Sequence, residues 1–321
     1  MKVALDRVKR ALTVSNLAPQ LAYINVHNGW MSASDGRLYA SSPTEVTENF
    51  LVPGKELERA LNFGDDMRLE KRPDHVLFMR GRTRIKLKTL DPESHFHSVQ
   101  PPTDWAPFPP SFLKALNKVR PFISDNATQS WAMGAICMDG AVASTNNIVL
   151  AIADCARVPF GGIIPFWLID FVNEMKEMPV QCASTAQAIF LRFSDGTWLR
   201  SLRIDAEAPM QMLAYITQVQ QRDRNIWEIP DEWRTVYNHT LAFSEREVIV
   251  SPRQIMARSS SAEVVTEIVT PVEADTLWDN KYLGPVLRAA THWNIADYPK
   301  PCFWYGQGIT GLVAGKTQTS R

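Results

Sequence analysis

Apolar residues in this chain recur with two periods. Where they lie three and four positions apart they predict helices, and where they alternate with polar residues they predict strands. The first pattern runs over Lys2 to Leu12, Ser111 to Val119 and Asp231 to Tyr237, and over about three turns after each of Pro53, Pro165 and Asp279. Those last three starts lie 112 and 114 residues apart. Each supplies a residue suited to a helix entrance, proline in the first turn or aspartate as cap. Pro110 and Pro230 stand just before two of the others. The second pattern follows each helix. His75 to Met79, a turn at Arg80-Gly81 and Arg82 to Lys88 predict a hairpin in which Thr83, Ile85 and Leu87 alternate with cations. Ala188 to Phe193 and Trp198 to Ile204 flank Asp195-Gly196, a strong turn pair, and Cys302 to Tyr305 pairs with Ile309 to Val313. Ala22 to Val26 with Trp30 to Ala33, and Trp131 to Met138 with Ala141 to Ala143, follow the opening helices.

The unit is therefore a helix plus several strands, used six times. Two proline-bearing breaks, one from Pro101 to Pro110 and one from Pro209 through Gln218–Arg224 toward Pro230, group the units in pairs. The expected organisation is an α+β fold of three domains, 1–102, 103–210 and 211–321. A helix with one apolar face covers one face of an antiparallel sheet and leaves the other to solvent. Three such domains in line put six helices along one side. Closure head to tail with a second copy would make that side the wall of a central hole.

Composition narrows the classes without choosing one. Apolar residues are 45% and charged residues 21%, as in ordinary globular chains. The 34 basic and 34 acidic side chains cancel, so a nucleic acid or membrane would have to be met by local charge. The N-terminus carries Asp6, Arg7, Lys9 and Arg10 where a signal peptide needs an apolar core, and no stretch of 18 apolar residues occurs. A cytoplasmic protein without a membrane partner is expected. Cys137, Cys155, Cys182 and Cys302 form no paired motif and read as small buried hydrophobes, and His95 and His97 as loop residues. Asp35, Asp154, Asp195 and Asp205 fall at turns or strand ends in separate repeats, and the glycines at 161–162 and 306–308 lack the partners of a phosphate loop. The expectation is a protein that is not an enzyme and holds neither metal nor cofactor.

Six units in this order resemble the bacterial-type DNA polymerase III beta sliding clamp, the processivity factor of the replicative polymerase. The likeness is carried by Arg80 to Leu90, ending near Phe96, similar to the hairpin that closes that family's first domain. Further matches are Ile204-Asp205-Ala206-Glu207-Ala208-Pro209, the helices after Pro53 and Pro165, and the closing strand Ile309 to Ala314. Departures are a shorter chain, a divergent last domain, and Ser144 to Leu150 where the family usually has Thr-Asp-Gly-His-Arg-Leu. They fit a divergent clamp of the kind a phage encodes. The resemblance implies a homodimer ring around double-stranded DNA, with a DNA polymerase and a clamp loader as partners.

Charge on the helices gives the candidate DNA contacts. The opening helices carry Lys2, Arg7, Lys9 and Arg10 against Asp6, and Lys114, Lys118 and Arg120 against none, while Lys281 and Arg288 outnumber Asp279 on the last helix. A sliding ring needs only weak, delocalised phosphate contact. By position in the resembling family, a partner-peptide pocket would involve Thr145, Leu150, Pro209, Met210, Leu312 and Val313. Two competing readings share much of this pattern. One is a repeat-built, ring-forming structural or assembly protein with no tethering role. The other is an enzyme with Cys155 as nucleophile.

Overall fold

The structure, a computed structural model, describes residues 1–13, 18–64, 67–90, 99–211, 213–214, 226–244 and 246–316. Six α-helices occur among them: α1 Lys2–Val8, α2 Gly54–Leu61, α3 Pro110–Val119, α4 Phe166–Met175, α5 Asp231–Leu241 and α6 Asn280–Ala289. The last five open where a proline or an aspartate stands at the entrance, whereas α1 follows Met1. The Asp279 carboxylate accepts from the Lys281 amide at 3.0 Å and so holds one of the amides that the first turn leaves without a partner. The N-terminal helix is shorter than its pattern. It ends at Val8, and Lys9–Ala11 tighten into a 3₁₀ turn.

Packing divides the chain into two compact units, residues 1–108 with 167–203 and residues 109–166 with 204–321. The middle segment is thus shared between them: its first half belongs with the third segment and its second half with the first.

The first unit holds an eight-stranded antiparallel sheet. Its order is β4 (Phe50–Pro53), β1 (Tyr23–His27), β2 (Trp30–Ser34), β3 (Leu38–Pro43), β15 (Trp198–Leu202), β14 (Ala188–Arg192), β13 (Gln181–Ser184) and β8 (Ala106–Pro107). Strands far apart in sequence join at β3–β15, where Tyr39 lies opposite Arg200 and Ala40 opposite Leu199. Ser42 and Thr197 share a hydroxyl hydrogen bond at 2.9 Å beside that pairing. A second sheet has the order β5 (Arg68–Lys71), β6 (His75–Arg80) and β7 (Thr83–Lys88). The β6–β7 turn is Gly81-Arg82, one residue later than the sequence pattern indicates, with Gly81 at φ +55°.

The second unit repeats the design. Its eight strands run β12 (Gly162–Pro165), β9 (Gly134–Met138), β10 (Ala141–Thr145), β11 (Val149–Asp154), β23 (Ile309–Val313), β22 (Cys302–Gly306), β21 (Ala290–Trp293) and β16 (Trp227–Glu228). Here the distant strands meet at β11–β23, where Leu150 lies opposite Leu312 and Ala151 opposite Gly311. The smaller sheet has the order β19 (Glu263–Glu267), β18 (Gln254–Arg258), β17 (Glu247–Ser251) and β20 (Thr276–Asp279). Helix α3 lies on β10 and β11, and α5 on β18 and β19. Trp233, Tyr237, Trp278, Trp293 and Trp304 are fully buried in this unit; Trp293 meets Trp233 and Trp278 edge to face, as aromatic quadrupoles favour, and Tyr237 stacks parallel on Trp233.

Three bridges of one kind recur: Leu51 with Leu90, Ile163 with Ile204, and Leu277 with Lys316. Each ties the strand before a second helix to the chain leaving a closing hairpin.

Candidate functional site

Alternation along a strand decides which residues of the second unit share a face. Thr145, Leu150, Leu312 and Phe303 stand directly opposite one another on β10, β11, β23 and β22 and form one row across the sheet. Leu150 and Phe303 join Ile136, Ala143, Ile152 and Ile163 in an apolar cluster, with Trp131, Met138, Tyr305 and Leu312 at its half-buried margin. The segment after β15 folds over this row through Ile204, Ala206, Ala208 and Leu213. The Pro209 carbonyl accepts from the Leu213 amide at 3.2 Å, and the Met210 amide donates to Ala208 at 2.8 Å, which leaves the Met210 side chain 50% exposed.

The arrangement is a shallow apolar floor with a closely held lip. Leu150 and Thr145 are buried in the floor, Leu312 is half-buried, and Pro209 and Met210 belong to the lip. Val313 is different. It follows Leu312 on the strand, so it faces the opposite side of the sheet, where it is 1% exposed beneath the helices. Its expected place in a pocket with Leu312 is corrected by that alternation. Ser144 on the same inner side donates to the Val119 carbonyl of α3 at 3.1 Å, and Phe122 stacks on Trp304 at 5.3 Å. Gly311 is required there, because a Cβ would overlap the Trp304 indole and the Leu150 carbonyl. Tyr305, two residues from Phe303, was legible as a floor residue by the same period of two. Ile204, Ala206 and Leu213 carried no such signal.

The loop that sets the row is fixed by side chains. Asn146 Oδ1 accepts from the amides of Ile148 and Val149 at 3.1 and 3.0 Å, and Asn147 takes a left-handed φ of +72°. Thr145 accepts from the Asn147 amide at 3.2 Å.

The helix-borne cations are less free than their count implies. Arg7 is 20% exposed and pairs with Glu177 and, at 3.0 Å, with Asp195. Lys9 meets Asp6 at 2.7 Å and Glu58 at 2.8 Å, and the hydrogen bond its ammonium donates to Asp6, then the one to Glu58, holds it above its usual value. Arg10 pairs with Glu174 at 2.9 Å. Lys118 donates to the carbonyls of Gln307 and Gly308 at 2.6 and 3.2 Å, and Arg120 pairs with Asp125 at 2.9 Å while lying over Phe166. As candidate DNA contacts, Arg7, Lys9, Arg10 and Arg120 are neutralised locally by acidic partners and Lys118 is held by two carbonyls, although Arg10 and Lys118 remain exposed. Lys2 and Lys114 are exposed. Lys281 and Arg288 are exposed too, at a cavity of about 600 Å³ lined also by Arg246, Asp279 and Tyr282.

The candidates for chemistry resolve into local roles. Asp35 accepts from the amides of Arg37 and Leu38 at 2.8 and 2.6 Å, which makes it a loop cap. Buried Cys155 donates to the Arg157 carbonyl at 3.1 Å, and the four cysteines are unbridged. Among the described residues no cluster of His, Cys, Asp or Glu could hold a metal ion, and no helix is long and apolar enough to cross a membrane. His95 and His97 lie outside the described residues, as do Phe96 and the run 218–224.

No family model and no curated protein sequence matches this chain. Solved structures do. The beta sliding clamp of Caulobacter crescentus superposes with a TM-score of 0.79 at 17% identity, covering 98% of this chain and 96% of that one. The Helicobacter pylori beta clamp bound to a DNA ligase peptide gives 0.75 at 15% identity, over 98% and 97%. The DNA polymerase sliding clamp of Pseudomonas aeruginosa gives 0.77 at 14%, again over 98% and 97%. Along essentially its whole length, the chain has the fold of a bacterial DNA polymerase III beta sliding clamp.

Proposed function

We propose that this protein is a DNA sliding clamp without chemistry of its own: two copies close head to tail around duplex DNA, and each tethers a replicative polymerase. The observation that carries the reading is the clamp fold over 98% of the chain, from first helix to last strand. The three recurrent bridges support three domains near 1–102, 103–210 and 211–321. In this reading a clamp loader and a polymerase use short peptides that lay apolar anchors on the row of Leu150 and Leu312, as the Helicobacter clamp was solved with a peptide of DNA ligase. Exposed Lys2, Lys114, Lys281 and Arg288 supply delocalised phosphate contact, and a sparsely charged wall suits sliding, since topology rather than affinity retains a ring. Replication of a phage genome in a bacterial cytoplasm is the setting these properties fit.

The test is retention. Loaded protein should stay on nicked circular DNA through a gel-filtration column and run off once the circle is linearised. Equal loss from both forms would sink the proposal.

A further inference from the structure

Each large sheet ends on a strand of two residues, taken from the segment that leads into an opening helix. Ala106 and Pro107 of β8 lie opposite Cys182 and Gln181 of β13, and Trp227 and Glu228 of β16 lie opposite Trp293 and His292 of β21. One residue further on, the Phe108 amide donates to the Val180 carbonyl at 3.0 Å, and the Ile229 amide to the Thr291 carbonyl at 2.9 Å. Proline follows in both, Pro109 at the entrance of α3 and Pro230 at that of α5. Phe108 is 6% and Ile229 4% exposed. Two dissimilar sequences thus run one course: two residues of edge strand, then a large apolar side chain sunk in front of a helix.

The same frame occurs a third time, around β5. The pair Arg80–Thr83 that flanks the β6–β7 turn matches Gly306–Ile309 of β22–β23, so Met79 takes the place of Tyr305. Their neighbours follow. Arg68 takes the place of His292 and Gln181, Leu69 that of Trp293 and Cys182, and Met67 that of Thr291 and Val180. Helix α1 starts from Met1 as α3 starts from Pro109. Yet β5 is the last strand of its sheet. Where the other two frames hold Phe108 and Ile229, a cavity of about 500 Å³ lies beside Met1 and Met67, lined also by Val3, Val46, Leu61 and Phe78. Leu69 on its side is half-buried, whereas its counterparts Cys182 and Trp293 are 1% and 0% exposed.

We infer that this cavity docks the carboxyl-terminal end of a partner chain, which adds an antiparallel strand to the outer edge of β5 and sinks a large apolar last residue beside Met67. The anchor's amide donates to the Met67 carbonyl, as those of Phe108 and Ile229 do to Val180 and Thr291. The segment ends at its anchor because α1 begins directly beyond the cavity, at the place where proline continues the chain in the other frames. The register also fixes the residue before the anchor. It stands opposite exposed Arg68, where Glu228 stands in β16, and an acidic side chain there meets the guanidinium across the strands. Strand-edge hydrogen bonds supply affinity and the anchor with its acidic neighbour supplies selectivity. The inference rests on the threefold frame and not on the clamp reading, so either can fail without the other.

Fluorescence polarisation with the 321-residue chain tests it. The probe is the peptide Thr-Asp-Trp-Ala-Glu-Phe, labelled at its amino end: residues 103–108 with glutamate in place of Pro107. It should bind with a dissociation constant of micromolar order. Val3→Glu, at a side chain 70% exposed, should weaken it at least about tenfold, with circular dichroism showing the variant folded. Arg68→Glu should weaken it about fivefold, and lysine in place of the peptide's glutamate should restore binding to that variant. Two glycines added after the phenylalanine should abolish binding, and Leu312→Asp should leave it unchanged. No binding, indifference to Val3→Glu, failure of the charge exchange, equal binding of the lengthened peptide, or loss in Leu312→Asp would each overturn the proposed docking. A peptide that drove self-associated copies apart would make a second copy the occupant and overturn it too.

Discussion

The junctions β3–β15 and β11–β23 share topology, register and loop, yet they offer a partner different surfaces. In the second unit the row reads Thr145, Leu150, Leu312 and Phe303; in the first, by the same register, it reads Ser34, Tyr39, Arg200 and Phe190. Arginine stands where leucine forms the floor. The first row is also covered from within its unit. Trp105 and Val99 of the proline-rich segment pack on Phe190, Trp198 and Tyr39, with Arg192 lying 5.9 Å from the Trp105 ring. Backbone repetition thus builds two equivalent platforms, and a few side chains decide that only one has an apolar row fit for a foreign anchor. The inner faces differ as well: Leu199 fills the place that Gly311 leaves to Trp304.

The largest expected effect breaks the equivalence of those inner faces. Gly311→Ala has no room beside Trp304 and the Leu150 carbonyl, and should cost about 3 kcal/mol or more in chemical denaturation. Leu199→Ala, a cavity at the same register, should cost about 2 to 4 kcal/mol and be softened by collapse. Next come the outer rows. Leu312→Asp should weaken binding of a peptide with one or two large apolar anchors at least about tenfold by fluorescence polarisation. Arg200→Ala should leave that affinity unchanged, and an equal loss from both changes would mean that the two rows serve alike. Smaller is Trp105→Ala, which uncovers the first row at about 1 to 2 kcal/mol for a half-buried indole. It should leave peptide affinity at the second row as it was.

The smallest effect is electrostatic. The Ser194 hydroxyl at 2.6 Å, and after it Arg7, hold the Glu177 carboxyl below the ordinary glutamate value. A depressed carboxylate stabilises the fold above its unfolded value and loses that contribution as pH falls through its folded value. Stability of the wild type should therefore decline on acidification below the ordinary glutamate range, and Glu177→Gln should flatten that decline. The partly exposed pair limits the difference to under about 1 kcal/mol at neutral pH.

Local features of this fold were legible because they are written in side chains. Proline and aspartate marked the helix entrances at 53, 110, 165, 230 and 279, and the period of two marked β7 with its cations outward. The joining of β3 to β15 and of β11 to β23 was not, since edge pairing uses amides and carbonyls that every residue carries. From that gap came the errors at the candidate site. Arg7 looked free because Glu177 lies 170 positions away, and Val313 looked like a neighbour of Leu312 in space when adjacency on a strand means opposite faces. The proposal of a peptide site at the apolar row rested on resemblance to a family, and the segment from Ile204 that packs over that row follows from the chain's route out of β15, which no periodicity records.

The division of the middle segment has a consequence for synthesis. The first unit is complete only when residues 167–203 have been made, although its other residues end at 108. At the usual pace of translation those ninety-five residues take roughly 5 to 20 s to emerge. Throughout that interval β3 presents an open edge in which Ser41 and Ser42, later buried, still face water. Those hydroxyls keep the waiting edge less adhesive than a run of valines would be, and the nascent chain meets its own β15 before it meets a stranger's strand.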